Sequence, residues 1–514
     1  MKRKLASLLL CGALSLSVLT GCGGSNEESA AQSDVKTIFT YAIGGDTGNT
    51  LNTFTADDRW GLMTSNMVSS PLYRVNMDGS LEYILAESME PSADGLVYTM
   101  KLKPDLKWSD GEPVTADDVV FTYDEINKLG SALYIEGQPI KVEKVDDLTV
   151  TFTLPGKSAS VVELLSAEVF MAPKHIFEGR NSFDINMLEE KPVGTGPYVL
   201  EEYKTGQYLK FKANPNYIGG AANIETVVYR IIDNADTAVL ALQNKEVDAL
   251  VTLPSKLDVF KDNADFNITN YSEGRVAYMR LNPNSENMKD QNFRKGIFYA
   301  LNREEIMTAA YSSADFYQLG YSFLPTISSY YNAEVEKYDQ DIEKAKEMIS
   351  GGPSTLKLCF VGEDAALEKQ ALTIQAELKQ VGITVELAGM EQAAYMKSAY
   401  DKESKEYDMY LGGYVMGIDP DSFAAMFDTN SDNMFNFNNP EIDKKFAEGK
   451  AELDPEKRIA IYAEAQKLVA EEGIFYPFGT NLRTLVTLSN VDGIEDAGLV
   501  PIYTFKDVSK LKFK

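Results

Sequence analysis

The chain has 514 residues, with 49 Lys and Arg against 77 Asp and Glu, one His and three Cys, for a formal net charge of −28. Hydrophobic residues at 44% and charged residues at 25% are the proportions of an ordinary globular protein, and the length suffices for roughly two to four domains, each with its own core. The charge argues against a nucleic-acid partner and against docking through a polybasic patch, because phosphates attract basic surfaces. His175 stands alone, so any site built on a histidine pair is excluded.

In chain order, Lys2, Arg3 and Lys4 precede an apolar or small run from Leu5 to Leu19, too short to span a bilayer comfortably, and then Thr20, Gly21 and Cys22. Residues 1–21 therefore read as a secretory signal. Its end, Leu19-Thr20-Gly21-Cys22, resembles a bacterial lipobox, in which Cys22 is lipidated and becomes the mature N-terminus. Residues 22–34 are that lipidated Cys and a polar tether with little to bury. Cys11 leaves with the signal and Cys22 carries lipid, so Cys359 is the remaining thiol and the folded part has no disulfide. Cys359 lies in the strand-like run Leu356 to Val361 and reads as a small core residue rather than a nucleophile. No later apolar stretch approaches the ~18 residues of a membrane span. The lipid is then the anchor, on the extracytoplasmic face of a bacterial membrane.

Strand signals dominate the first half: Val97 to Leu102, Leu148 to Leu154 and Tyr208 to Lys212 alternate apolar and polar residues. Between them, Thr115-Ala116-Asp117-Asp118 before Val119-Val120-Phe121 predicts a helix opened by a capping box. Asp236 to Asn244 reads as a short helix opened by Asp233 or Asn234. Further on, Phe293 to Ala310 and Asp341 to Ile349 read as helices. Leu356 to Val361 is a strand, and a helix follows with Leu367, Ala371, Ile374, Leu378 and Val381 on one face. Gly382 ends it, and Ile383 to Leu387 is the next strand. Strand, helix, strand with short connections predicts a parallel βαβ unit. Asp454-Pro455-Glu456 opens a last long helix that packs Ile461, Ala465 and Leu468 inward and stops near Gly473.

Several blocks then carry a resemblance. Leu85-Ala86-Glu87-Ser88, Asp94-Gly95-Leu96-Val97-Tyr98-Thr99, Leu106-Lys107-Trp108-Ser109-Asp110-Gly111-Glu112-Pro113 and Thr115-Ala116-Asp117-Asp118-Val119 follow one another in the order and spacing of a family signature. Pro173-Lys174-His175, Gly194-Thr195-Gly196-Pro197-Tyr198, Asn214-Pro215-Asn216-Tyr217, Ala300-Leu301-Asn302-Arg303, Gly412-Gly413-Tyr414 with Asp419-Pro420-Asp421, and Asn438-Asn439-Pro440 agree with it. Together they resemble the family 5 extracellular solute-binding proteins of ABC importers, which include dipeptide-, oligopeptide- and nickel-binding proteins. The resemblance implies an α/β, two-lobed periplasmic-binding-protein-like fold of type II with a two-strand hinge. Lobe I would comprise residues 35–272 and 487–514, with 61–190 as an inserted subdomain, and lobe II residues 273–486.

Most of the conspicuous residues have bland readings. Asp110-Gly111 is a turn, Thr115 a cap and Trp108 a core residue. Gly194-Thr195-Gly196 lacks a third glycine and a following Lys-Ser/Thr, and Pro197 interrupts it, so it is no phosphate loop. His175 has no Cys or His companion and reads as scaffold. Asp419 and Asp421 flank Pro420 and shape a turn rather than a hydrolytic acid pair.

For site residues the resemblance implies Gly413, Tyr414, Met416 and Asp419 from lobe II, Asn436 from the next loop, and Asp46 and Thr47 from lobe I. Peptide-binding members hold the ligand's α-ammonium with an Asp three residues before the Asp-Pro-Asp turn. Met416 stands there in this chain. Either Asp419 or Asp421 takes over, or the ligand has no free α-amino group at that point. The function implied is capture of a solute, foremost an oligopeptide, between two lobes and delivery to an ABC permease with its ATPase. The protein would act as a monomer without catalytic residue, cofactor, metal or nucleic acid. A non-peptide solute (a chelate, a sugar or another small organic molecule), an exported hydrolase and a surface sensor are the alternatives.

Overall fold

The computed structural model describes residues 36–48, 51–56, 58–129, 133–166, 169–417 and 419–514. The expected signal, the tether and Cys22 lie outside them. Strand β1 (Ile38–Ile43) buries Phe39, Tyr41 and Ile43 at 2% exposure or less. Helix α1 (Arg59–Val68) follows, capped by Asp58, whose carboxylate accepts from the N–H groups of Trp60 and Gly61. Next comes a four-stranded antiparallel layer, β2 (Ala86–Pro91), β3 (Val97–Leu102), β4 (Lys141–Asp146) and β5 (Thr149–Thr153), in spatial order β2-β3-β5-β4. Within it, α2 (Ala116–Asn127) opens on the capping box of Thr115 and Asp118. Trp108 is fully buried in the core of this layer, beside Tyr98, Val119 and Phe152. His175 Nε2 sits 2.8 Å from Asp110 Oδ2 near the surface.

The chain then returns to the sheet of β1 with β6 (Tyr198–Lys204), β7 (Tyr208–Ala213) and β8 (Thr226–Ile231), helix α3 (Ala235–Gln243) capped by Asn234, and β9 (Ala249–Thr252). A long strand, β10 (Phe266–Leu281), leads into the second half: α4 (Gln291–Tyr299), α5 (Arg303–Tyr311), β11 (Tyr317–Leu319), β12 (Thr355–Val361), α6 (Ala365–Gln380), β13 (Thr384–Met390), β14 (Met409–Tyr414) and α7 (Pro455–Glu472). A second long strand, β15 (Phe475–Leu488), brings it back. Among the described residues these strands make one eleven-stranded sheet in the order β6-β7-β8-β1-β9-β15-β10-β14-β12-β13, with β11 on β15. The βαβ unit is parallel, Thr355 pairing with Thr384 through to Val361 with Met390. Cys359 is fully buried in it, and burial pushes its thiol up to about 12. The helix expected over Phe293 to Ala310 is two helices. Asn302 breaks it by accepting from the Glu305 N–H to start a new turn, which brings the Arg303 guanidinium 4.3 Å from the Tyr476 ring.

Two large cores lie along this sheet. Phe39, Tyr229, Leu250, Tyr271 and Leu485 belong to one, and Met279, Leu281, Ile374, Leu411 and Tyr476 to the other. Strands β10 and β15 contribute to both. Their ladder is regular from Phe266↔Leu488 to Ser272↔Leu482, slips, and resumes at Val276↔Thr480. Three residues of β10, Glu273 to Arg275, thus stand against Asn481 of β15, and a second slip follows between Ala277 and Tyr278, so that the pair is bulged where one core gives way to the other.

One buried group makes the second core sensitive to pH. Glu377 on α6 is 2% exposed and accepts from the Asn302 N–H at 3.0 Å. Burial raises its carboxyl to about 8. The folded state therefore keeps a proton that the unfolded chain releases near the ordinary value of about 4.3, and stability drains away as pH rises from that range through about 8. Glu377→Gln should match the wild type in melting temperature near pH 5 and exceed it increasingly up to about pH 9. Thermal unfolding across that range checks it, and a pH-independent difference contradicts it.

Candidate functional site

The carboxyl ends of parallel strands from both halves converge on the slipped crossing. On one side β1 is parallel to β8 and β9, and β9 ends at Thr252 opposite Thr484 on β15. On the other, β14 runs parallel to β12 and ends at Tyr414 opposite Val276 on β10. Loops beyond such strand ends are where open α/β sheets hold ligands. Here they are residues 44–48 after β1 and 415–417 with 419–421 after β14.

In the first loop, the Trp60 indole lies against Gly44 and Gly45, so closely that a Cβ at Gly45 would overlap it. The Asp46 carboxylate accepts from the Tyr203 hydroxyl at 2.9 Å, the Gly206 N–H at 2.7 Å and the Thr47 N–H at 2.8 Å. Its oxygens are engaged by these neutral donors, which shape the loop. Thr47 is 3% exposed, and its hydroxyl has no hydrogen-bond partner among the described residues.

In the second loop, alternation along β14 separates the expected residues. A Cβ at Gly413 would overlap the guanidinium of Arg275, which therefore rests on the strand's backbone. Tyr414 faces the other way, into an aromatic core with Tyr278, Phe423 and Phe475, and its hydroxyl donates to the Phe323 carbonyl. The structure thus makes Tyr414 a wall behind the loop. Met416 is half-buried against the same core. Asp419 receives Arg458 on both oxygens, at 2.6 and 2.6 Å, and also accepts from the Asp421 N–H at 2.9 Å to cap the turn Pro420–Phe423. Asp421 accepts from the hydroxyls of Tyr462 and Ser160, both at 3.3 Å, and burial holds its carboxyl above the usual range. Both aspartates are thus engaged by side chains of the protein itself. Asn436 is not brought to the others. Its amide donates to Asn284 at 2.8 Å beyond the Leu281↔Met409 end of the β10–β14 pair, roughly 16 Å along the strand from Tyr414.

Three residues not singled out in the sequence lie against these loops and the end of β14. Arg275 lies in the bulge, Trp60 is in the first turn of α1, and Glu163 is on the short helix Val161–Leu164 that follows β5 of the antiparallel layer. The Glu163 carboxylate accepts from the Asp419 N–H, and a Cβ at Gly417 would run into it. Beside it the Ala159 N–H donates to the Lys450 carbonyl at 2.8 Å, so this layer touches the second half across the cleft. The signal for Arg275 was its place beside the expected lobe boundary between residues 272 and 273. An open groove of about 830 Å³, between Phe266–Thr269 and Val491–Asp496, lies at the far end of β10 and is not formed by these loops.

The Arg458 side chain is 4% exposed, so Asp419→Ala strands a buried guanidinium. Urea unfolding of the ligand-free variant should show a loss of about 3–5 kcal/mol. A residue that merely touched ligand would leave stability within about 0.5 kcal/mol.

Comparison with known proteins bears on the family and the fold. Residues 80–435 match the family model described as bacterial extracellular solute-binding proteins, family 5 Middle. The chain is 27% identical over 518 residues to the oligopeptide-binding protein AppA of Bacillus subtilis, across 93% of this chain and 94% of that one. It is 27% identical over 487 residues to the dipeptide-binding protein of Escherichia coli, across 86% and 89%. Among solved structures it is similar to the ABC transporter substrate binding protein CtaP of Listeria monocytogenes, with 33% identity, a TM-score of 0.88, and coverage of 93% of this chain and 100% of that one. The two-lobed α/β fold, the shared strand crossing and the match over most of its length make this chain a member of the family 5 bacterial extracellular solute-binding proteins.

Proposed function

We propose that this protein captures oligopeptides between its lobes and hands them to the permease and ATPase of an ABC importer. It would do so as a monomer held at the extracytoplasmic face by lipid on Cys22. The observation that carries this reading is the convergence of strand ends from both halves on one crossing of two strands. The lobes in this reading are residues 35–272 with 482–514, carrying 61–190 as an insert, and residues 273–481; a return earlier than the expected 487 is supported by the pairing of Leu482–Leu488 with Phe266–Ser272 and by Leu485 and Val486 in the first core. Their hinge is the bulged stretch of β10 and the facing residues of β15. The contacts of Glu163 with Asp419, Ser160 with Asp421 and Ala159 with Lys450 are then the closed form's clasp. A solute favours closure only by touching both lobes. Exposed backbone at the strand ends supports recognition of an extended peptide with little regard to its sequence. The engagement of Asp419 with Arg458 and of Asp421 with Tyr462 supports binding without turnover over an acid-pair hydrolase. A non-peptide solute is the second reading, and Met416, apolar where an ammonium anchor is expected, favours it.

Native mass spectrometry of protein beginning at Ser33 should show added mass that resolves into short peptides on release. A single non-peptide mass overturns the peptide reading in favour of the second. Glu163→Ala should loosen the clasp and weaken capture of such peptides about 3- to 10-fold, a shift of roughly 0.6–1.4 kcal/mol. Titration calorimetry reads that change, and unaltered affinity argues that the contact has no part in closure.

A further inference from the structure

Three arginines, Arg59, Arg275 and Arg483, gather at the crossing with one buried glutamate, in a chain whose net charge is −28. Glu273 is buried there, and Arg59 at 2.7 Å and Arg483 at 3.0 Å share its carboxylate. Two residues on, Arg275 has no carboxylate within ion-pair distance among the described residues. Its guanidinium lies on Gly413 and reaches the phenol of Tyr311, a residue packed against both large cores. It is half-buried, so its charge is only partly solvated. Such a cation, flat against a strand at the mouth of a cleft, is incomplete without an anion.

The acids that could have received an ammonium are meanwhile occupied. Asp46 holds Tyr203 and Gly206, Asp419 holds Arg458, and Asp421 is bound by Tyr462 and Ser160. Asp364 caps α6 through Oδ1, which accepts from the Ala366 N–H. Met416 adds no charge. The arrangement suits a ligand that presents a negative group to this loop.

We propose that Arg275 anchors a carboxylate of the captured solute, so that the cleft grips its ligand by an anionic end rather than by an ammonium. For a peptide, an inference that rests on the function proposed above, the group is the C-terminal carboxylate. A guanidinium fork meets a carboxylate with two parallel hydrogen bonds, which fixes the direction in which the chain lies as well as holding it.

The test uses two pools with the same readouts, tryptophan fluorescence and mass spectrometry of what the protein retains. One pool is a library of two- to five-residue peptides without Asp or Glu, supplied free, C-terminally amidated and N-acetylated. The other is a set of small mono- and dicarboxylic acids with their amides. Wild type should retain free and N-acetylated peptides alike and bind amidated ones about 30-fold more weakly. Arg275→Gln should lose that discrimination. So should Gly413→Ala, whose Cβ displaces the guanidinium while keeping its charge, and this variant carries the test if Arg275→Gln does not fold. Retention of carboxylic acids but of no peptide, with the same dependence on Arg275, overturns the peptide reading and upholds the anchor. Peptides held equally well when amidated, or lost on N-acetylation, overturn the anchor and leave the peptide reading standing; the second result points to Asp364 instead. Retention of nothing from either pool overturns both.

Discussion

Two strands that belong to both lobes, and the slip in register between them, are the constraint on which the rest of the molecule depends. Backbone hydrogen bonds hold β10 against β15 on either side of the bulge, and each side is pinned by its own core. Bending is therefore least resisted at Ser272 to Arg275, where the ladder is interrupted. Both sets of parallel strands point their carboxyl ends at this place, so a small rotation there moves the loops after β1 and β14 toward or away from each other. Packed cores resist gradual deformation, and a bulged pair between two of them is a natural place for a discrete motion.

Charge is managed with the same economy. A strongly acidic chain has few places where a buried carboxylate can remain ionised, and each has a specific answer here. Asp419 is matched by the guanidinium of Arg458, and Glu273 by two arginines. Glu377, with no cation within ion-pair distance among the described residues, is pushed toward its protonated form by burial. These contacts keep the acids of the cleft region engaged within the protein. Global charge and pocket charge are set by different residues.

Much of the scaffold was legible because its signals are local. The capping box at Thr115, the Asn234 and Asp454 caps, the βαβ unit and the left-handed Gly473 after α7 depend on residues within a few positions of one another. The break at Asn302 was missed because an apolar pattern continues through Phe298, Leu301 and Ile306 while the capping side chain sits inside it. The site was less legible. Gly413 and Tyr414 are neighbours in the chain and lie on opposite faces of a strand. Asn436 follows the loop in sequence but packs against Asn284. Asp419 looked available because the arginine that occupies it comes 39 residues later.

The amino-acid sequence by itself determined the family, the two-lobed α/β class, the export signal as an expectation, and the absence of a charged anchor at Met416. These follow from composition and from motifs whose spacing is set by the backbone. Only the tertiary structure decided which acids are already engaged, which face Tyr414 presents, and that Arg275 lies over Gly413 with no carboxylate within ion-pair distance among the described residues. Those facts depend on contacts between residues far apart in the chain, and the free energy of a buried charge is fixed by its partners in space rather than by its neighbours in sequence.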